Sequence, residues 1–192
     1  RPRYFHNLRM VTGSWDQYMS RESMPECDLL RFVLPEHGTN SISRFHVGVQ
    51  KDILIKRAVF NGAGIVIWQD IFGSWLPYSE TQKAHIKKWK GIWSENRVHF
   101  LSRKSVPLYP TLQEGLFCNA FPAEDGSGVI YTLYNETDGK ISGDLLAHRG
   151  AGVSRVTELW EGAEVDIIRV DGGGVIQGDI PAKGVLIIKI ER

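Results

Sequence analysis

Arg57-Ala58-Val59-Phe60-Asn61-Gly62-Ala63-Gly64-Ile65-Val66-Ile67-Trp68-Gln69-Asp70-Ile71-Phe72-Gly73 is the stretch on which the fold turns. It reads as the end of a helix, a tight glycine-containing connection, a short apolar strand, and then polar and aromatic groups crowded together. A continuous apolar run rich in Ile and Val and bounded by glycines fits a strand buried on both faces, as in a parallel sheet covered by helices. The cluster Trp68-Gln69-Asp70 then falls at the strand's C-terminal end. In α/β barrels and open α/β sheets that edge binds ligands, because its loops vary without disturbing the packed layers.

The flanks extend the pattern. Ile53, Leu54, Arg57, Ala58 and Asn61 keep the three-and-four spacing that predicts a helix from Gln50, with Gly62 as its left-handed cap. After residues 65–69, the expected strand, Ser79 and Gln82 have capping-box spacing. The helix they open carries one apolar stripe, Ile86, Trp89, Ile92 and Trp93, and a wet face of Lys83, Lys87, Lys88 and Lys90. Earlier, residues 4–12 read as a strand ended by Gly13-Ser14, delivering Trp15 and Asp16 into a loop. Residues 29–34 read as a second strand stopped by Pro35, with Glu36 and His37 next and a long functional loop over 39–49. Strand, helix, strand, helix is the signature of βαβ units in a parallel sheet.

Beyond Arg97 no helical pattern is read, and short β-rich runs alternate with turns: 115–121, 129–134, 141–147, 155–160, 164–170, 175–180 and 184–190. Residues 124–128, 136–139 and 171–174 read as hairpin connections, so this half is an antiparallel β-sandwich. The boundary falls near 96–110, where Pro107 and Pro110 bracket an extended crossing.

Composition narrows the function. With 192 residues, 42% hydrophobic and 23% charged, the chain fits one or two globular domains. Its 23 basic and 22 acidic residues leave a net charge of +1, so neither nucleic acid nor an anionic membrane is an implied partner. Apolar runs stay well short of the roughly 20 residues of a membrane span, no leader pattern is present, and the compartment is left open between secreted, periplasmic and cytoplasmic. Cys27 and Cys118 lie in no metal-ligand spacing and read as isolated thiols, with a disulfide as the minor alternative. His46, His85, His99 and His148 are too scattered for a metal site, and the glycine runs 61–64 and 172–174 lack phosphate-loop spacing. No metal or other cofactor is expected.

Three carboxylates, Asp16, Glu36 and Asp70, follow predicted strands. Glycoside hydrolysis needs two carboxyl groups across the scissile bond, one acting as acid and the other as nucleophile or base. Strand ends can supply such a pair from distant positions. Trp15, Trp68, Trp75 and Tyr78 add flat apolar faces for sugar C–H groups, and Gln69 and His37 add partners for hydroxyls. The plainer readings are a turn or cap for Asp16, a solvated surface pair for Glu36-His37, a core position for Trp68 and a loop cap or a partner of Arg57 for Asp70.

Residues 30–36, 60–73 and Pro77-Tyr78-Ser79-Glu80 together resemble the C-terminal end of a glycoside-hydrolase-type (β/α)8 barrel. The resemblance is to bacterial barrels of the α-galactosidase-like and α-N-acetylgalactosaminidase-like superfamily and to glycosidase-like proteins near them. It implies a partial TIM barrel over residues 1–97, its last strands and helices, followed by the all-β antiparallel sandwich over 98–192. It further implies a hydrolase of α-linked sugars, with a carbohydrate as substrate. The acid/base would be Asp16 or Glu36, and Trp15, His37, Trp68, Gln69, Asp70 and Trp75 would face the substrate. The nucleophile and the earlier strands would lie on polypeptide elsewhere. Arg1 to His6 lack an initiator Met, and Tyr4, Phe5, Leu8, Met10 and Val11 call for burial, so the expectation is a fragment accompanied by an N-terminal remainder or a second chain. The alternative is a carbohydrate-binding protein whose degenerate barrel has lost its acid pair.

Overall fold

A computed structural model describes residues 13–16, 27–35, 38–42, 49–67, 77–150, 152–162, 165–170 and 172–192. In chain order the first half runs β1 (Gly13–Asp16), α1 (Leu29–Val33), β2 (Gly38–Ile42), α2 (Val49–Asn61), β3 (Gly64–Val66), α3 (Glu80–Glu95) and α4 (Arg97–Phe100). The second half is all strand: β4 (Leu116–Pro122), β5 (Gly128–Asn135), β6 (Ile141–Arg149), β7 (Arg155–Glu158), β8 (Asp166–Val170), β9 (Gly173–Ile180) and β10 (Val185–Glu191).

β1, β2 and β3 form a three-stranded sheet in that order. Both pairings are parallel, with Asp16 opposite Ser41 and Ile42 opposite Val66, so the three C-termini share one edge. α2 returns the chain from β2 to β3. Its buried side chains include Leu54, Ile55, Ala58, Val59 and Phe60. It ends as its glycine dictates: Gly62 has φ +63°, the Gly62 N–H bonds Val59 O at 3.2 Å and the Ala63 N–H bonds Ala58 O at 2.8 Å. That pair of bonds is the Schellman arrangement. α3 starts with the expected capping box, Ser79 Oγ accepting from the Gln82 N–H at 3.2 Å and Gln82 Oε1 from the Ser79 N–H at 3.0 Å. Trp89 and Ile92 are buried while Lys83, Lys87, Lys88 and Lys90 stay exposed.

Several sequence expectations are corrected here. Residues 29–33 form a helix, not a strand, because Asp28 caps it, its side chain accepting from the Arg31 N–H at 3.4 Å, and Leu34 N–H closes a turn onto Leu30 O at 2.9 Å. The strand beside β1 is instead β2, inside the polar run read as a loop. β1 begins at Gly13, where a strand was expected to end, and β3 spans Gly64–Val66 rather than 65–69. The strand read over 4–12 lies outside the described residues. The short helix α4 follows Asn96, where none was read. Among the described residues three strands are parallel and do not by themselves make a barrel, and most strand residues belong to antiparallel sheets.

The seven expected β-runs all form strands. They make a four-stranded sheet, β4-β5-β10-β7, and a three-stranded sheet, β6-β9-β8. The connection at 136–139 is not a hairpin, since β5 pairs with β4 and β10 while β6 pairs with β9. It carries the chain between sheets, and Asn135 Nδ2 pins it by donating to Gly139 O at 2.7 Å and Pro181 O at 3.0 Å. β5 is buried on both faces. Val129, Tyr131 and Leu133 pack with Leu145, Leu146, Ile176 and Ile180 of the opposite sheet. Ile130 and Tyr134 turn the other way, onto Phe60 of α2, Trp89 of α3 and Phe100 of α4. Each such side chain contributes roughly 1.5–3 kcal/mol when fully buried. The larger sheet is thus the middle of three layers, joined to the helices by a continuous apolar core.

Candidate functional site

Asp16 is the last residue of β1, in register with Ser41, and Trp15 pairs with Asn40. Glu36, His37, Trp68, Gln69, Asp70 and Trp75 lie outside the described residues. Their described neighbours in sequence differ in an informative way. Ile67 follows the C-terminal end of β3, whereas Gly38 opens β2 at its N-terminal end. The strand read before Glu36 is a helix, so the premise that set Glu36 at a strand's C-terminal edge no longer holds.

The junction between α2 and β3 is fixed by side chains from four elements. A helix C-terminus leaves carbonyls without intrahelical partners, and burial makes each one costly unless it is bonded. Phe60 O accepts from Asn119 Nδ2 of β4 at 2.8 Å and from Thr132 Oγ1 of β5 at 2.6 Å. Gly62 O accepts from Trp93 Nε1 at 3.0 Å and Arg31 Nε at 3.2 Å, and Ala63 O accepts from Trp89 Nε1 at 2.8 Å. The Arg31 guanidinium lies 5.7 Å from the Phe121 ring centroid, and burial lowers its pKa to about 10. Lys51, near the start of α2, is also buried, its ammonium 4.1 Å from the Tyr78 ring centroid.

The apolar stripe of α3 pointed to Trp89 and Trp93, though not to their carbonyl partners, and the other clamp residues were not singled out in the sequence. A signal existed for two of them: Asn119 in Phe117-Cys118-Asn119-Ala120-Phe121 and Thr132 in Tyr131-Thr132-Leu133 are polar groups inside apolar strands. Buried polar groups of that kind require partners.

A groove of about 800 Å³ opens between the first turns of α2 and α3 and the turn from β9 to β10. Its walls include Ile53, Val185 and Trp160, and its polar groups include Asp52, His85 and Glu161. His85 lies 5.6 Å from the Trp160 ring centroid and Lys88 Nζ 5.3 Å from it. Among the described residues no group of three His, Cys, Asp or Glu side chains could hold a metal ion, and no helix is long and apolar enough to cross a membrane.

No protein-family model and no curated protein sequence matches the chain. Solved structures do. The chain matches a debranching enzyme from Nostoc punctiforme with a TM-score of 0.53 at 11% identity, over 81% of this chain and 36% of that one. An α-amylase from Geobacillus thermoleovorans bound to acarbose gives 0.51 at 12% identity, over 81% and 39%. AmyP in complex with maltose gives 0.51 at 8% identity, over 80% and 41%. The fold is of the glycoside-hydrolase type. The likeness reaches that general fold and does not single out the α-galactosidase-like group. The chain spans about two fifths of the length of the structures it matches.

Proposed function

We propose that this chain is the C-terminal part of a glycoside hydrolase that acts on α-linked sugars by a two-carboxylate mechanism. Residues 1–97 would form the last strands and helices of the catalytic barrel and residues 98–192 its sandwich, with the remaining strands and the nucleophile supplied by further polypeptide. Asp16 is assigned the acid/base role. The observation that carries the reading is its position as the terminal residue of a parallel strand whose neighbours β2 and β3 end at the same edge. Asp70 and the aromatic groups Trp68 and Trp75 follow β3 in sequence and are assigned to the substrate, with Trp15 and Gln69; His37, which directly precedes the N-terminal end of β2 in sequence, loses that argument together with Glu36. Glu36 loses its strand-end argument and is retained only as a control.

Chemically, a carboxyl group on a rigid strand end is held in place while a glycosidic oxygen takes its proton and water later returns one. The double-sheet half then acts as a support: it buries the outer face of α2 and α3 and fixes the carbonyls from which β3 departs.

The test is hydrolysis of aryl α-glycosides by the completed barrel, with Asp16→Asn, Asp70→Asn and Glu36→Gln made singly. Loss of an acid/base costs roughly 10²–10⁴-fold in rate. That loss is expected for Asp16→Asn, with Glu36→Gln near wild type; unchanged rates in all three would remove the proposal.

A further inference from the structure

The groove between the helices and the sandwich shares none of its described lining with the strand-end edge that carries Asp16. Its volume, about 800 Å³, lies within the range of small-molecule sites. Its chemistry is mixed in a specific way. Its apolar lining comes from Ile53, Ile55 and Val185 together with the rings of Trp160 and Tyr134. The rim holds acceptors and donors together: Asp52 and Glu161 on one hand, His85, Lys56 and Thr81 on the other.

Two of the rim groups are held in place. Gln82 Nε2 donates to Asp52 Oδ1 at 3.1 Å, and Lys56 Nζ donates to Lys183 O at 2.7 Å. On the far side, the Glu161 N–H donates to Glu158 Oε2 at 2.7 Å, fixing the loop that carries the exposed Glu161.

Each property excludes a ligand class. A free phosphate or other strong anion would meet the carboxylates of Asp52 and Glu161 and lose much of what the cations offer. A purely apolar ligand would strip water from the polar side chains of the lining, Asp52, Lys56, Thr81, His85, Glu161 and Lys183, without replacing their hydrogen bonds. A ligand with apolar ring faces and hydroxyls around its edge fits both: each hydroxyl donates to a carboxylate and accepts from an imidazole or ammonium. We propose that this groove is a second, non-catalytic site for a neutral polyhydroxylated ring compound, a short glycan. The choice of glycan rests on the carbohydrate reading given above; the location and the donor–acceptor rim do not.

The experiment is NMR of the completed barrel with the residues of this chain isotope-labelled, following their backbone amides during titration with maltotriose, with xylotriose and, separately, with inorganic phosphate. The expected result is saturable shifts with at least one trisaccharide, centred on Asp52, Lys56, His85 and Glu161. Ala182→Trp places a bulky side chain in the groove from an exposed turn, and Glu161→Ala removes an exposed rim carboxylate without adding bulk. Ala182→Trp is expected to weaken binding roughly tenfold or more, a change of about 1.4 kcal/mol, and Glu161→Ala to weaken it as well. Absence of saturable shifts with both trisaccharides overturns the proposal. So do shifts that persist unchanged in both variants, or phosphate binding in the groove in place of sugar. Asp16→Asn leaves groove binding intact, and Ala182→Trp leaves aryl-glycoside hydrolysis intact in the completed barrel. Failure at the groove is thereby separated from failure of the catalytic reading.

Discussion

The joint between the two halves should behave as an energetic unit centred on one carbonyl. Phe60 O, at the end of α2, is held by Asn119 Nδ2 at 2.8 Å and Thr132 Oγ1 at 2.6 Å, and all three residues are fully buried. Thr132→Val keeps the shape and removes one donor, while Phe60 O keeps the other. The cost expected is about 1–2 kcal/mol. Asn119→Ala is more damaging, because Asn119 Oδ1 also accepts from the Leu108 N–H at 2.9 Å. It leaves that amide without its partner as well as a small cavity, and about 2–4 kcal/mol is expected. The double variant strands Phe60 O entirely. Each single change is cushioned by the surviving donor, so the double should exceed the sum of the singles by about 0.5–3 kcal/mol. Urea unfolding read by tryptophan fluorescence gives all four stabilities, and for a chain of this size each kcal/mol moves Tm by about 2–4 °C. Strict additivity, or a Thr132→Val variant as stable as the parent, would refute the idea that the carbonyl is jointly held. Two separate transitions in the parent would refute the shared core itself.

Other outcomes follow from the same packing. Gly62→Ala should cost at least about 1–2 kcal/mol, since φ is +63° and a Cβ would sit 2.8 Å from Phe100 Cδ1; thermal unfolding checks it, and an unchanged Tm would contradict the cap. Burial lowers the pKa of His99 and His148 below the ordinary value of 6.5, His99 despite its bond with Phe121 O. The unfolded chain therefore binds protons that the folded chain refuses, and stability should fall as pH drops from about 7 to about 5, a window above the carboxylate titrations; a Tm flat across it counts against this. Burial raises Cys27 to about 11 and Cys118 well above the usual thiol value, so neither should be alkylated by iodoacetamide at about pH 8 until denaturant is added, which mass spectrometry reads directly.

How far the sequence could be read depended on how local each cause was. The end of α2, the capping box of α3 and the seven sandwich strands follow from glycine's backbone freedom, a short-range hydroxyl bond and β-rich runs bounded by turn residues, all visible within a few residues. The run 29–34 failed because a short apolar segment has no period long enough to tell helix from strand; Asp28, three residues before Arg31, decided it. β2 was missed because Gly38–Ile42 holds little apolar surface and is a strand by virtue of the neighbours β1 and β3.

What the sequence determined by itself was a helix-bearing half with a strand after Gly62 and an all-strand half beyond Pro110, because hydrophobic period and turn residues act locally. Tertiary structure alone decided which strands pair, that 136–139 crosses between sheets, and that Asn119, Thr132, Arg31, Trp89 and Trp93 converge on one helix end. The physical reason is that a buried carbonyl must be bonded by whatever donor folding brings to it, and a donor 59 or 72 residues away leaves no mark near the acceptor in the chain.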